Sequence, residues 1–225
     1  MLKLIETRDS LCSQDIMEKD ARLIGSADTL LHLYTWPQPT LSYGCLVKPE
    51  DFLYMEKLGD LSLAKRPTGG GLIFHLSDLA FSFLMPYSSP YFSLNTEDNY
   101  LFVNGIVANA LGRYIPSYSF FKEETSSLSR FCMAKATKYD ILVEGGKLVG
   151  AAQRRTKTGL LHQGSISLCP PPRELLERSL GESLYTEMQK TSRYLFSDIL
   201  SPKELLEKRF EIEQDLHRAF YAAIL

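Results

Sequence analysis

The chain has 225 residues, 44% of them hydrophobic, enough to bury one substantial core, so a single domain over 1–225 is expected. Twenty-five Lys and Arg against 27 Asp and Glu leave a formal charge of −2 with neither sign in a run, which argues against nucleic acid or a lipid surface as partner. Cys12, Cys45, Cys132 and Cys169 lie far apart, the four histidines show no metal-ligand spacing, and no apolar stretch nears the ~18 residues that span a bilayer; reduced thiols in the cytoplasm and no metal site are expected.

In chain order, Ser13 is placed to cap a helix through Asp20 that Gly25 and Ser26 end. Leu30 to Trp36 reads as a strand, Pro37 and Pro39 as a turn, and Leu41 to Cys45 as a second short strand. Pro49 then opens a predicted helix through Asp51 to Leu58. Next comes Lys65-Arg66-Pro67-Thr68-Gly69-Gly70-Gly71-Leu72-Ile73-Phe74-His75. Three successive glycines give up more conformational entropy than any helix or strand interior tolerates cheaply. Two readings stand open: a turn between strands, or a backbone cradle whose N–H groups converge on an anion beside Arg66.

Leu79 to Met85 reads as a buried strand next to that loop. Thr96, followed by Glu97 and Asp98, is placed to cap a long helix with Leu101, Ile106, Ala110 and Tyr114 at helical spacing. Ser117 to Met133 is irregular, with a polar stretch from Lys122 to Ser127 suited to covering a site. Tyr139 to Gln153 has the form of a hairpin turned by Gly145 and Gly146, with Lys147 just past the turn and the small residues Gly150, Ala151 and Ala152 beyond it. Gly159 to Leu168 is a further strand. After Pro170-Pro171-Pro172 the pattern is helical, with an apolar stripe of Leu205, Leu206, Phe210, Ile212, Leu216 and Phe220.

Arg66 through Gly71 to His75, Leu79 to Phe83, Asp140 to Val143 through Lys147 to Ala152, and Leu161-His162-Gln163-Gly164-Ser165 resemble, in that order, the signatures of the lipoate-protein ligase A family. Leu41-Ser42-Tyr43-Gly44 resembles its entry motif. The resemblance implies an α+β fold shared with octanoyltransferases and biotin protein ligases, like class II aminoacyl-tRNA synthetases: a mixed, largely antiparallel sheet flanked by helices. It also implies ligase chemistry, in which a lipoate or octanoate carboxylate attacks the α-phosphate of ATP, with Mg2+, and the acyl-adenylate is captured by a lysine of a lipoyl domain. The acceptors implied are lipoyl domains of 2-oxoacid dehydrogenase complexes or the glycine-cleavage H protein.

In that scheme Lys147 is the catalytic lysine, expected at the surface of a cleft, where Lys147→Ala would stop transfer with little loss of folding. Arg66, Gly69, Gly70, Gly71, His75, Tyr43, Gly44, Asp140, Gly150, Ala151, His162, Gly164 and Ser165 form the binding set. Phe74, Phe81, Phe83 and Val149 are candidates for the walls of an acyl slot, with core packing as the competing role. Burying a medium-length tail at about 0.8 kcal/mol per methylene contributes roughly 4–6 kcal/mol.

Two departures bear on the reaction. Where the ligases show Gly-Arg-Asn-Asp, this chain has Thr137-Lys138-Tyr139-Asp140, closer to the octanoyltransferase branch. Cys132 falls near the position of the nucleophile in cysteine-dependent octanoyltransferases, which take the acyl group from a thioester on acyl carrier protein and need no ATP. Its neighbours Phe131, Met133 and Ala134 are apolar, so a passive buried thiol is the competing reading. His162 would activate the thiol or satisfy a hydrogen bond within its strand, and His75 carries the same two readings. The third glycine, Gly71, favours the ATP route, since those transferases often place arginine there. The resemblance implies a catalytic domain over 1–225 without the C-terminal accessory domain that such ligases often carry, so a ligase of this length would depend on a separate accessory subunit. The third alternative is a non-catalytic protein that binds lipoyl domains or acyl groups.

Overall fold

The computed structural model describes residues 1–8, 12–51, 53–122, 138–180 and 182–225. In chain order the elements are β1 (Leu2–Thr7), α1 (Ser13–Leu23), β2 (Thr29–Tyr34), β3 (Thr40–Tyr43), β4 (Ser62–Lys65), β5 (Leu72–His75), β6 (Asp78–Pro86), α2 (Thr96–Ala110), β7 (Ser119–Phe120), β8 (Ile141–Val143), β9 (Gly146–Arg155), β10 (Gly159–Ser167), α3 (Arg173–Leu180), α4 (Glu182–Thr191) and α5 (Pro202–Ile224). Seven strands form one sheet in the order β1-β2-β6-β10-β9-β8-β7, and β4-β3-β5 form a second. Only β1 with β2 and β3 with β4 run parallel, so the fold is the expected mixed, largely antiparallel α+β type.

Strand alternation divides the large sheet into two working faces. Leu31 and Leu33 of β2, Leu79, Phe81, Phe83 and Met85 of β6, and Leu160 and Ile166 of β10 pack against Val103, Ile106 and Val107 of α2 and Ile212, Leu216 and Phe220 of α5. Each fully buried side chain of this size contributes about 1.5–3 kcal/mol, so this face supplies most of the hydrophobic stabilisation. The opposite face carries Tyr34 and Ala80, which meet Ile16 and Met17 of α1 and Ala64 of β4. A separate cluster holds the small sheet through Leu41, Leu72 and Phe74 with Leu176, Tyr185 and Met188.

Several local expectations are corrected. Residues 49–58 form two short 3-10 turns, Pro49–Asp51 and Met55–Lys57, not one helix. Cys12, not Ser13, is the N-cap of α1, because the Ser13 hydroxyl is buried against Thr40 Oγ1 at 2.7 Å. Asn95, not Thr96, caps α2, its side chain accepting from the Glu97 N–H at 2.9 Å. Glu144 and Gly145 take the left-handed conformations of the hairpin turn, at φ 48° and 74°, while Gly146 already begins β9. The stripe on α5 is buried only in its C-terminal half, and Leu206 and Phe210 are exposed. Most of the irregular segment expected over 117–133 lies outside the described residues.

Candidate functional site

The loop between β4 and β5 folds over the α1-facing side of the large sheet and closes a cavity of about 360 Å³. Its approach depends on Gly44: a Cβ there would lie 2.1 Å from the backbone carbonyl oxygen of Gly70, far inside contact distance. Gly70 itself turns the loop at φ 87°. The Arg66 guanidinium, 4% exposed, is committed to this construction. Its Nη1 donates to Ser42 Oγ at 2.7 Å and its Nη2 to the carbonyls of Gly69 at 3.2 Å and Gly71 at 2.8 Å. Arg66 therefore braces the glycine loop from within while also lining the cavity, where the sequence reads it as an anion contact.

Behind Arg66 runs a second line of bonds. Ser42 Oγ and His75 Nε2 are 2.6 Å apart, and His75 Nδ1 and Asp78 Oδ2 are also 2.6 Å apart. Ser42 Oγ accepts from Arg66 and shares a second hydrogen bond with His75 Nε2. Ser165 Oγ donates to the same Asp78 oxygen at 2.6 Å. Burial pushes the Asp78 carboxyl up, but His75, Ser165 and Arg209 outweigh it and hold the group below the ordinary carboxylate range. Trp36 stacks on His75 at 4.3 Å. Ser42, at 0% exposure, is structural and not a nucleophile in this arrangement, despite its spacing from His75 and Asp78.

Lys147 reaches the cavity through a β-bulge. Ile141 pairs with Val149 while Leu142 pairs with Lys147, so one extra residue on β9 resets the alternation and puts Lys147 on the same face as Gly150. A Cβ on Gly150 would lie 2.6 Å from Lys147 Cε and 2.8 Å from Nζ, so the lysine lies directly across that glycine. Its ammonium pairs with Asp140 Oδ2 at 2.8 Å, with the two side chains 11% and 1% exposed. The lysine thus lies on the wall of the cavity with little exposure to solvent, in keeping with the cleft position expected for it.

Of the sequence-derived set, Arg66, Gly69, Gly70, His75, Lys147, Gly150, Ala151, Gly164 and Ser165 line the cavity. Asp140, Tyr43, Gly44 and Gly71 stand behind it, Tyr43 lending its carbonyl to the Arg66 N–H at 2.8 Å. His162 is fully buried on the helix-facing side, near Phe81 and Tyr100, with Nδ1 accepting from Gln153 Nε2 at 2.9 Å. Burial alone pulls its pKa down to about 3, so the ring is neutral at any physiological pH. Phe74, Phe81, Phe83 and Val149 belong to the cores and do not line the cavity. Cys132 lies outside the described residues.

The apolar walls are instead Tyr34, Trp36, Ile73, Ala80, Tyr100, Tyr139 and Ala152. Strand parity in β6 and β10 points to Ala80, Gln163 and Ser165; Tyr100 carries no such signal, because it comes from a helix flank. Tyr139 sits at φ 77°, a conformation that bulky residues avoid, with its ring stacked on Tyr100 at 5.1 Å and its carbonyl held by Asn104 Nδ2 at 2.7 Å. Among the described lining residues the charged groups are Arg66, Lys138 and Lys147, with no carboxylate. The cavity is therefore built for an apolar group ending in a polarised or anionic oxygen. It offers no acidic oxygen to Mg2+, and the described residues contain no cluster of three metal-ligating side chains.

Residues 11–214 match the family model of the lipoyl protein ligase A/B catalytic domain, and the chain belongs to that family. Among curated relatives, octanoyltransferase LipM of Carboxydothermus hydrogenoformans is 33% identical over 141 residues, covering 61% of this chain and 52% of the relative. Octanoyltransferase LipM of Macrococcus caseolyticus is 26% identical over 211 residues, covering 88% and 74%. The chain thus spans about half the length of the first of these. Among solved structures, lipoate-protein ligase A bound with ATP superposes with a TM-score of 0.71 at 22% identity, over 99% of this chain and 84% of that one. A bipartite lipoate protein ligase of Thermoplasma acidophilum, studied with its E2 lipoyl domain, gives 0.72 at 17% identity over 98% and 82%. At these identities the likeness to both is one of fold.

Proposed function

We propose that the chain transfers an octanoyl or lipoyl group from a carrier-protein thioester to the ε-amine of a lysine on a lipoyl domain. The observation that carries acyl transfer is the Lys147 ammonium, fixed by Asp140 on the wall of an apolar cavity whose described lining holds no carboxylate. The likeness to octanoyltransferases supports the thioester as donor. The partners are acyl carrier protein as donor, and lipoyl domains of 2-oxoacid dehydrogenase complexes or the glycine-cleavage H protein as acceptor, all in the cytoplasm. Among the described residues no helix is long and apolar enough to cross a membrane.

In this reading the Cys132 thiolate attacks the donor thioester and expels the carrier thiol, forming acyl-Cys132; the role rests on the place of Cys132 in the sequence. The neutral acceptor amine then attacks the acyl carbon, the C–S bond breaks, and Cys132 leaves as thiolate while the amine proton passes to solvent. Each addition places negative charge on the carbonyl oxygen, which Lys147 neutralises. Glycine-loop N–H groups at Gly69 and Gly70 supply further donors. His162 is given no part in this scheme, since burial lowers its basicity and its Nδ1 accepts from Gln153.

ATP-dependent ligation is the second reading, favoured by Gly71 at the position where transferases often carry arginine. Mass spectrometry after incubation with octanoyl carrier protein separates the two. The proposal expects a covalent octanoyl adduct on the wild type that is missing in Cys132→Ala; turnover of Cys132→Ala at the wild-type rate would refute the acyl-enzyme.

A further inference from the structure

Beneath the glycine loop lies a buried polar network that the acyl-transfer scheme leaves unused. His32 of β2, Ser82 of β6 and Gln163 of β10 are direct neighbours across three adjacent strands, since His32 pairs with Ser82 and Ser82 with Gln163. All three project to the α1 face, where Asp20 meets them. Asp20, His32 and Ser82 are each 0% exposed and Gln163 is 5% exposed. Asp20 Oδ1 lies 2.7 Å from His32 Nδ1, and Oδ2 accepts from Ser82 Oγ at 2.5 Å and Gln163 Nε2 at 2.7 Å. On the far side of the histidine, Nε2 lies 2.9 Å from Thr7 Oγ1, which accepts from Lys19 Nζ at 2.7 Å. On the near side, Thr68 Oγ1 donates to Gln163 Oε1 at 2.7 Å.

The chemistry of these groups sets the directions of the Ser82 and Gln163 bonds to Asp20 and of the Thr68 bond to Gln163. An ionised carboxylate only accepts, so Asp20 compels Gln163 to present its amide N–H₂ to it, and the amide oxygen must face the other way. That oxygen is the acceptor that holds the Thr68 hydroxyl, and Thr68 begins the glycine loop: its carbonyl in turn accepts from the Cys45 N–H at 2.9 Å, beside Gly44. Gln163 also lines the cavity. A buried carboxylate with three donors is costly to assemble and is stable only while each donor stays in place.

We infer that Asp20, through Gln163, is a positioning residue for the proposed acyl transfer: it sets the polarity of the Gln163 amide and thereby anchors Thr68 and the glycine loop in register with Lys147. This rests on the reaction proposed above. Because the group positioned acts on the developing oxyanion, its loss lowers kcat and leaves KM for the lipoyl domain nearly unchanged; displacements well under 1 Å suffice for such losses.

The decisive comparison is Thr68→Val against Thr68→Ser, which differ in the hydroxyl but keep the loop backbone, beside Asp20→Ala. Thr68→Val is expected to lose about tenfold in kcat with KM near wild type, together with the lowered melting temperature that an unpaired Gln163 oxygen brings, and Thr68→Ser to recover most of both losses. In hydrogen exchange the Gln163 side-chain amide is expected to be protected in the wild type and unprotected in Asp20→Ala. Wild-type kcat in Thr68→Val, no recovery in Thr68→Ser, or an unprotected Gln163 amide in the wild type would each overturn the inference. Failure of the wild type itself to acylate a lipoyl domain would instead overturn the reaction on which the inference rests.

Discussion

At the scale of the residue, the central pair is Lys147 and Asp140. Asp140 is 1% exposed and Lys147 neutralises it at 2.8 Å, so removing the lysine does more than remove the charge proposed to act on the acyl group. Lys147→Ala is expected to abolish transfer and also to cost about 3 kcal/mol of stability, because a buried carboxylate loses its counter-ion. The double variant Lys147→Ala with Asp140→Asn should recover most of that stability in urea unfolding while staying inactive. An inactive but fully stable Lys147→Ala would show that the pair is more hydrated than its enclosure indicates. The same enclosure acts on His162, whose Nδ1 accepts from Gln153 of the neighbouring strand and whose basicity is lowered by burial.

At the scale of the element, the glycine loop and the bulged strand β9 carry the site. Gly44→Ala places a methyl group 2.1 Å from the Gly70 carbonyl, and neither backbone can yield without breaking the Gly44 N–H to Gly71 carbonyl bond at 3.3 Å or the Cys45 to Thr68 bond. The expected outcome is a loss of about 2 kcal/mol or more, with acyl transfer reduced at least tenfold; retention of both would mean that the loop is not seated as described. Much of this was legible in the sequence: the triple glycine, the hairpin lysine and the buried β6 strand all stand where their residue patterns place them. Three things were not. The bulge at Leu148 leaves no residue signature, yet without it Lys147 and Gly150 would face opposite sides of the sheet. Arg66 reads as an anion ligand because its commitment to three acceptors depends on strands distant in sequence. The acyl walls were sought among the phenylalanines of the longest apolar runs, but those runs are buried against helices, and aromatic residues from strand ends and a helix flank line the cavity.

At the scale of the whole molecule, the buried ionisable groups set the response to acid. His162 titrates at about 3 in the folded chain against about 6.5 unfolded, so the unfolded state binds the extra proton between those values and stability falls as pH drops through that window. At pH 5 this one group removes about 2 kcal/mol relative to pH 7.5. Asp78, held below the ordinary carboxylate range, adds a loss of the same sign below about pH 4. Unfolding free energies at pH 7.5 and pH 5 should therefore differ less in His162→Gln than in the wild type, and equal differences would contradict the depressed histidine. In the proposed function, the two sheets, the bracing arginine and the enclosed lysine serve one task, moving an acyl group onto a lipoyl-domain lysine. The most direct test measures acylation of a lipoyl domain by intact-mass spectrometry with two donors side by side, octanoyl carrier protein without ATP and free octanoate or lipoate with Mg-ATP. The account predicts modification from the thioester donor, dependent on Lys147 and Cys132. Modification from the free acid with ATP alone, and none from the thioester, would contradict it.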